Sequence, residues 1–165
     1  MTRQELGDAS TSIVAEGAEL TMQRIFDAPP ALVWAAMTAP GHIHKWWGPH
    51  GTYASVEKMD VRPGGKWRIA PADGGEGIAF AGEFLEVTEP ERLVRTSSPD
   101  IPGMSPAGPP AVETITFEDL DGRTKMIYHA RFPSEDVLSF ALAQGMTKGV
   151  LEQFDRLAGL LTEIA

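Results

Sequence analysis

The sequence predicts an α+β domain in which a curved antiparallel β-sheet wraps around a long C-terminal helix, with two short helices after the first strand. Residues 19–27 alternate between apolar and polar side chains, which is typical of a strand with one buried face. Residues 52–132 show a run of strand patterns separated by turn signals. Residues 133–165 are the only stretch periodic enough for a helix of several turns. Short links between successive strands favour antiparallel pairing with helices packed on one face.

The C-terminal helix has a recognisable start and one continuous apolar side. Ser134 is suited to cap the helix, and two acidic residues follow it where a helix N-terminus favours negative charge. Gly145 and Gly149 interrupt the first half, each at a cost of about 1 kcal/mol relative to alanine. Residues 134–144 are therefore either the beginning of one helix or a separate short helix. The apolar side, with spacings of three and four, comprises Met146, Val150, Phe154, Leu157, Leu161 and Ile164.

The remaining chain supplies the sheet. Residues 1–13 are polar and without period, so we predict a disordered or loosely attached tail, with residues 14–165 forming a single domain. After the first strand, prolines open a short helix at residues 31–38, and a further helical turn is expected at 42–47. The six later strands are expected at residues 53–61, 66–70, 78–88, 93–98, 112–118 and 123–132.

Two loops stand out between these strands. Residues 73–76 are glycine-rich and are expected to form a hairpin loop. Residues 99–110 are rich in proline and glycine, so we expect neither strand nor helix there, but either an ordered flap or a mobile loop.

Composition restricts the class of partner. The formal net charge is −9 and no lysine or arginine cluster is present, which argues against a nucleic-acid or membrane-binding surface. The 165 residues contain no cysteine, which excludes disulfides and thiolate nucleophiles. The first residues lack the apolar centre of a signal peptide, and no apolar run is long enough to span a membrane. We expect a cytoplasmic protein without a cofactor.

Several motifs occur in a characteristic order. They are RIFDAP at residues 24–29 with VW at 33–34, WWGP at 46–49, DVRPGGKW at 60–67, and GM at 145–146 with FDRL at 154–157. Together, over residues 18–162, they resemble the START-like or SRPBCC superfamily with its helix-grip fold. Within it the chain is most similar to the group named after the activator of the ATPase of the 90-kDa heat-shock chaperone.

This resemblance implies a cavity between the sheet and the C-terminal helix, often used to hold a hydrophobic small molecule. Val150 stands where many relatives carry a tryptophan after glycine, which should enlarge the cavity or open its mouth. The group's name alone does not transfer an activity, because one fold hosts many functions.

Strand parity selects polar candidates for the cavity. Tyr128 falls on the apolar face of its strand, and Glu57 and Glu113 fall among apolar neighbours. A carboxylate there must find a hydrogen-bond partner or raise its pKa, and carboxyl groups of raised pKa serve general acid–base chemistry. Alternatively, each glutamate reaches solvent or pairs with an arginine such as Arg24 or Arg68.

The segment around residue 46 contains tryptophans and histidines. Trp46 and Trp47 are consecutive in a helical turn, so one is expected under the sheet and the other near the cavity rim, unless both fill the core. His42, His44 and His50 suggest a metal or a pH-sensitive gate. However, two residues of spacing puts His42 and His44 on different helix faces, so we predict a solvated loop and no metal site.

Our leading hypothesis is a domain that binds a small hydrophobic or aromatic molecule between the sheet and the C-terminal helix. The candidate ligand-binding residues are Trp34, Trp47, Glu57, Trp67, Phe80, Phe84, Glu113, Met126, Tyr128, Met146, Val150 and Phe154. One alternative is a cyclase, hydrolase or isomerase that uses a glutamate base in the same cavity, and another is a co-chaperone that activates an ATPase. Edge strands and the proline-rich segment offer surfaces for a homodimer.

Overall fold

A computed structural model describes residues 3–72, 75, 77–104 and 108–165, and these residues form nine strands and four helices. The strands are β1 (Arg3–Glu5), β2 (Thr11–Glu16), β3 (Glu19–Phe26), β4 (Ala54–Met59), β5 (Lys66–Pro71), β6 (Ala79–Thr88), β7 (Arg92–Asp100), β8 (Ala111–Leu120) and β9 (Arg123–Arg131). The helices are α1 (Pro30–Thr38), α2 (Pro40–Trp46), α3 (Glu135–Ala143) and α4 (Met146–Ile164).

The strands form one antiparallel sheet in the order β1-β2-β3-β9-β8-β7-β6-β5-β4. The predicted α+β helix-grip fold is confirmed, including the two short helices and the six strands that follow them. Alternation predicted the buried face of β9 correctly: Met126, Tyr128 and Ala130 are buried, whereas Arg131 is exposed and His129 bonds Glu19 at the surface. Within the described residues, no helix is long and apolar enough to cross a membrane.

The C-terminal region is two helices rather than one. The Ser134 hydroxyl accepts a hydrogen bond from the Val137 N–H at 3.2 Å and caps α3 as predicted. Gly145 then adopts a φ of 90°, a left-handed conformation that glycine adopts without steric cost, and α4 begins at the next residue. The predicted alternative of a separate short helix is therefore the correct one. The residues that α4 buries are Phe154, Leu157, Leu160 and Leu161.

The prediction of a loose N-terminal tail is wrong for the residues that the structure describes. Thr11, Ile13 and Ala15 are 1, 2 and 5% exposed and face the core from β2, which pairs with β3 over its whole length. The Leu6 N–H donates to the Ile13 carbonyl at 2.8 Å, which continues the hairpin toward β1. The alternating pattern of residues 11–16 was the sequence signal for this strand.

The proline-rich segment begins later than expected. Strand β7 extends through Asp100, which pairs with Ala79 of β6, so residues 99 and 100 are strand rather than loop. Residues 105–107, on which the choice between flap and mobile loop depends, lie outside the described residues. So do residues 73, 74 and 76 of the predicted hairpin loop.

The N-terminal strand can be tested with two isoleucines on neighbouring strands. Ile13→Ala should lower the free energy of unfolding by about 2–5 kcal/mol, because it leaves a cavity in the core. Ile25→Ala on β3 is the matched control, since Ile25 is 48% exposed and its truncation should change stability by only about 0.5 kcal/mol. Urea unfolding followed by circular dichroism measures both variants. A loss for Ile13→Ala as small as that for Ile25→Ala would show that β2 is not part of the core.

Candidate functional site

Several of the residues that were predicted to line the cavity are packed in the core instead. Five of the predicted ligand-binding residues are at most 3% exposed and belong to the main core: Trp34, Trp67, Phe84, Met126 and Phe154. Met146 and Val150 are half-buried on α4 and pack against that core. Open space lies instead at one end of the sheet.

This open space, here called the rim recess, is a cavity of about 240 Å³ between the segment after α2, strands β4 to β6, and α4. Its walls are mainly apolar, and Tyr53 and Ile78 remain 59 and 44% exposed beside it. Of the predicted ligand-binding residues, Trp47 and Phe80 line it. The full lining is Trp47, Gly48, Pro49, Thr52, Tyr53, Ala54, Ala70, Pro71, Gly77, Ile78, Phe80 and Gln153.

A second, more open recess adjoins the first and shares Thr52, Tyr53 and Pro71 with it. His44 lines this outer recess and stacks on the Tyr53 ring, with 5.0 Å between ring centroids. The His44 Nδ1 lies 2.6 Å from the Ala54 carbonyl oxygen, and because a carbonyl only accepts, Nδ1 carries the hydrogen. Stacking and hydrogen bonding thus fix the His44 ring beside the recess.

The two tryptophans separate as one sequence interpretation predicted. Trp46 is 1% exposed, and its Nε1–H donates to the Ala36 carbonyl at 2.8 Å. Trp47 is half-buried at the rim recess, and its ring centroid lies 6.3 Å from that of Trp67. Trp47 therefore forms the boundary between the recess and the filled core.

Residues of α4 hold the wall of the recess in place. The Arg156 guanidinium donates to five backbone carbonyls, of Lys45, Trp47, Gly48, Pro49 and Thr52, at 2.5 to 3.4 Å. Burial lowers the pKa of Arg156 from its ordinary value, and the nearby Tyr53 acts in the opposite direction. One side chain, Arg156, therefore provides a hydrogen bond to all five carbonyls and fixes the segment from Lys45 to Thr52 on α4.

A buried ionic cluster lies behind Trp67. The Arg95 Nε–H donates to the Glu113 carboxylate at 2.8 Å, and Arg95 Nη2 donates to the Tyr128 hydroxyl at 3.1 Å. The guanidinium carbon lies 4.5 Å from the centroid of the Trp67 ring, so a cation–π contact completes the cluster. Arg95 is 2% exposed. We call Arg95, Glu113 and Tyr128 the arginine cluster.

Burial and charge set the protonation of this cluster. Burial raises the pKa of Tyr128, and the negative charge of Glu113 raises it further, so the phenol stays protonated. Burial works against the charge on Arg95, but Tyr128 and Glu113 outweigh it and raise the Arg95 pKa above its ordinary value. The inward orientation predicted for Glu113 and Tyr128 is correct, and the partner that compensates the partly buried Glu113 carboxylate is Arg95.

Arg95 itself was not among the predicted site residues. It shares the parity of the buried Leu93 in β7, and it stands directly opposite Glu113 of β8 in the sheet register. Parity in β7 was therefore the signal that could have identified it.

Glu57 lies where the prediction did not place it. A β-bulge between Val56 and Lys58 shifts the register of β4, so Glu57 is exposed and forms an ion pair with Arg68. Arg68 also contacts Asp100 at 3.0 Å. The alternative that Glu57 pairs with Arg68 is the correct one, and Glu57 does not line the rim recess.

The histidines form no shared site among the residues that the structure describes. His44 is held by Ala54 and Tyr53, and His50 uses its backbone N–H to contact Glu152 at 3.3 Å. In the described ranges, no group of three or more His, Cys, Asp or Glu side chains is placed to hold a metal ion.

Comparison with known proteins identifies relatives. The family described as Activator of Hsp90 ATPase homolog 1-like protein matches residues 27–162. Solved structures from Arthrobacter aurescens and Mycobacterium smegmatis are 24 and 25% identical, with TM-scores of 0.83 and 0.79. The first comparison covers 92% of this chain and 91% of the other, and the second covers 93 and 99%.

A protein of Rhodobacter sphaeroides shares the fold at 19% identity, with a TM-score of 0.80 over 94% of this chain and 100% of that one. No curated protein matches the chain. The match to the family model and the shared fold confirm the resemblance that the sequence motifs predicted.

The arginine cluster should be sensitive to loss of its cation. Arg95→Met should lower the free energy of unfolding by up to about 3–5 kcal/mol, because Glu113, whose side chain is 15% exposed, then loses its compensating charge. The double variant Arg95→Met/Glu113→Met should lose less, since replacement of a whole buried pair by apolar side chains is often close to neutral. Urea unfolding of the three proteins provides the comparison, and a larger loss in the double variant would contradict this account.

Tyr128 should make stability depend on alkaline pH. Its folded pKa lies above the unfolded value of about 10, so its stabilising contribution is complete below pH 10 and is lost as the pH rises toward the folded pKa. The slope contributed by this one group is up to about 1.4 kcal/mol per pH unit. Urea unfolding between about pH 9 and 11.5 should show a steeper decline for the wild type than for Tyr128→Phe, and identical slopes would refute the assignment.

Proposed function

The chain belongs to the family of Activator of Hsp90 ATPase homolog 1-like proteins, and we propose that it binds a small apolar or aromatic molecule in the rim recess. The observation that carries this proposal is the mainly apolar recess of about 240 Å³, whose segment from Lys45 to Thr52 is fixed on α4. Cavities that bind small molecules are usually apolar, with a few placed polar groups.

The preformed wall favours binding. A ligand that enters the recess does not have to order the segment around Trp47, because Arg156 and Gln153 already hold it. Less conformational entropy is then lost on association, which leaves more of the apolar contact energy for affinity. Tyr53 and Ile78 supply exposed apolar surface that a ligand would cover.

The polar candidates play a different part in this proposal. Glu57 and Glu113 are each engaged by an arginine, and neither lines the rim recess. Binding here therefore depends on the shape and apolar surface of the recess rather than on a glutamate base.

Binding can be tested with N-phenyl-naphthylamine, a neutral aromatic probe that fluoresces in apolar surroundings. The wild type should bind it saturably. Ala70→Trp should abolish binding, because an indole side chain on β5 fills the recess. Tyr53→Ala should weaken binding about threefold or more, since it removes one aromatic wall.

The matched control is Phe140→Ala, which removes an aromatic ring that is 68% exposed on α3 and does not line the recess. This variant should bind as the wild type does. Circular dichroism confirms that each variant folds. Absence of saturable binding, or binding that Ala70→Trp leaves intact, would exclude the rim recess as the site.

A further inference from the structure

Gln153 gives the rim recess a side-chain amide of fixed orientation. The Gly48 N–H donates to the Gln153 Oε1 at 2.9 Å, and because only the oxygen of an amide accepts, the assignment of Oε1 and Nε2 follows from this bond. Gln153 lines the recess together with apolar residues that include Phe80 and Ile78. The oxygen is thus used by the protein, whereas the amino group is available as a donor.

The Gln153 amino group is in contact with solvent, and Gln153 lines the rim recess. Over the described part of the chain, Nε2 has no hydrogen-bond partner, and no buried side-chain nitrogen or oxygen lacks one. Nε2 is therefore in contact with solvent rather than sealed in the core. A ligand that displaces solvent from Nε2 must offer a hydrogen-bond acceptor, because leaving this donor unpaired would reduce the binding free energy.

Charge around Gln153 favours a neutral acceptor over an anion. The neighbouring Glu152 places a carboxylate 3.3 Å from the His50 backbone nitrogen beside the same segment. The terminal N–H groups of Arg156 already donate to five backbone carbonyls, so they are not available to pair with an anionic ligand. The chain carries a net charge of −9, which disfavours anionic ligands further.

We propose that the ligand class of the rim recess is a small aromatic or apolar molecule with a neutral carbonyl oxygen, which accepts a hydrogen bond from the Gln153 Nε2. This inference rests on the proposed binding function and specifies it. Apolar walls hold the hydrocarbon part, and Gln153 selects the oxygen and fixes the orientation of the molecule.

The test compares acetophenone with ethylbenzene, which has nearly the same shape but lacks the carbonyl oxygen. Dissociation constants are measured from amide chemical shifts of recess residues in two-dimensional NMR. Gln153→Glu is the informative variant, because its carboxylate still accepts from the Gly48 N–H but provides no donor. The affinity for acetophenone relative to ethylbenzene should fall about threefold to tenfold in this variant.

Gln153→Met serves as the control for loss of the anchor to Gly48, because it removes donor and acceptor together. It should weaken binding of both compounds, whereas Gln153→Glu should spare ethylbenzene. An unchanged ratio in Gln153→Glu would overturn the role of Gln153 and leave the binding function standing. Tighter binding of benzoate than of acetophenone would overturn the inference that the ligand is neutral. Absence of binding by every compound would overturn the proposed function as well.

Discussion

The apolar side of α4 lies against the sheet, and this contact decides where the protein can hold open space. Phe154 meets Phe26 edge to face at 6.4 Å and Tyr128 at 6.3 Å, so the middle of the helix is enclosed by aromatic rings. Phe84, Met126 and Leu157 complete this layer with no exposure to solvent. Interiors packed to this degree leave few voids larger than a water molecule. The open space of the rim recess lies instead at the edge of this contact, beside strands β4 to β6.

The polar side of α4 shapes that rim. Gln153 and Arg156 are three residues apart and share a helix face, and together they bind the segment from Lys45 to Thr52. Phe154 lies between them in sequence and points into the core. One helix thus fixes both the core and the recess wall, so the geometry of the recess depends on how α4 is docked.

Local patterns predicted the elements, and contacts between distant strands determined the rest. Alternation gave the correct face for Tyr128 because β9 is regular, but it failed at Glu57, where a bulge shifts the register. Arg95 bonds a residue 18 positions away, and Gln153 bonds one 105 positions away. Periodicity over a few residues contains no information about such pairs. The resemblance likewise implied an apolar cavity, but not that five of the residues predicted to line it, among them Trp67, would be almost fully buried in the core.

The arginine cluster links the register of the central strands to the rim recess. Arg95 and Glu113 face each other across β7 and β8, so a slip of one residue would turn one of them to the opposite face and leave the other without its partner. Trp67 covers Arg95 and donates to the Thr96 carbonyl at 3.0 Å, and its close approach requires glycine at position 82, where a Cβ would lie 1.9 Å from that oxygen. The correct register of β7 therefore fixes Trp67, and with it the strand β5 that forms one wall of the recess. A charge pair in the sheet can in this way influence the geometry of the candidate site, which it does not touch.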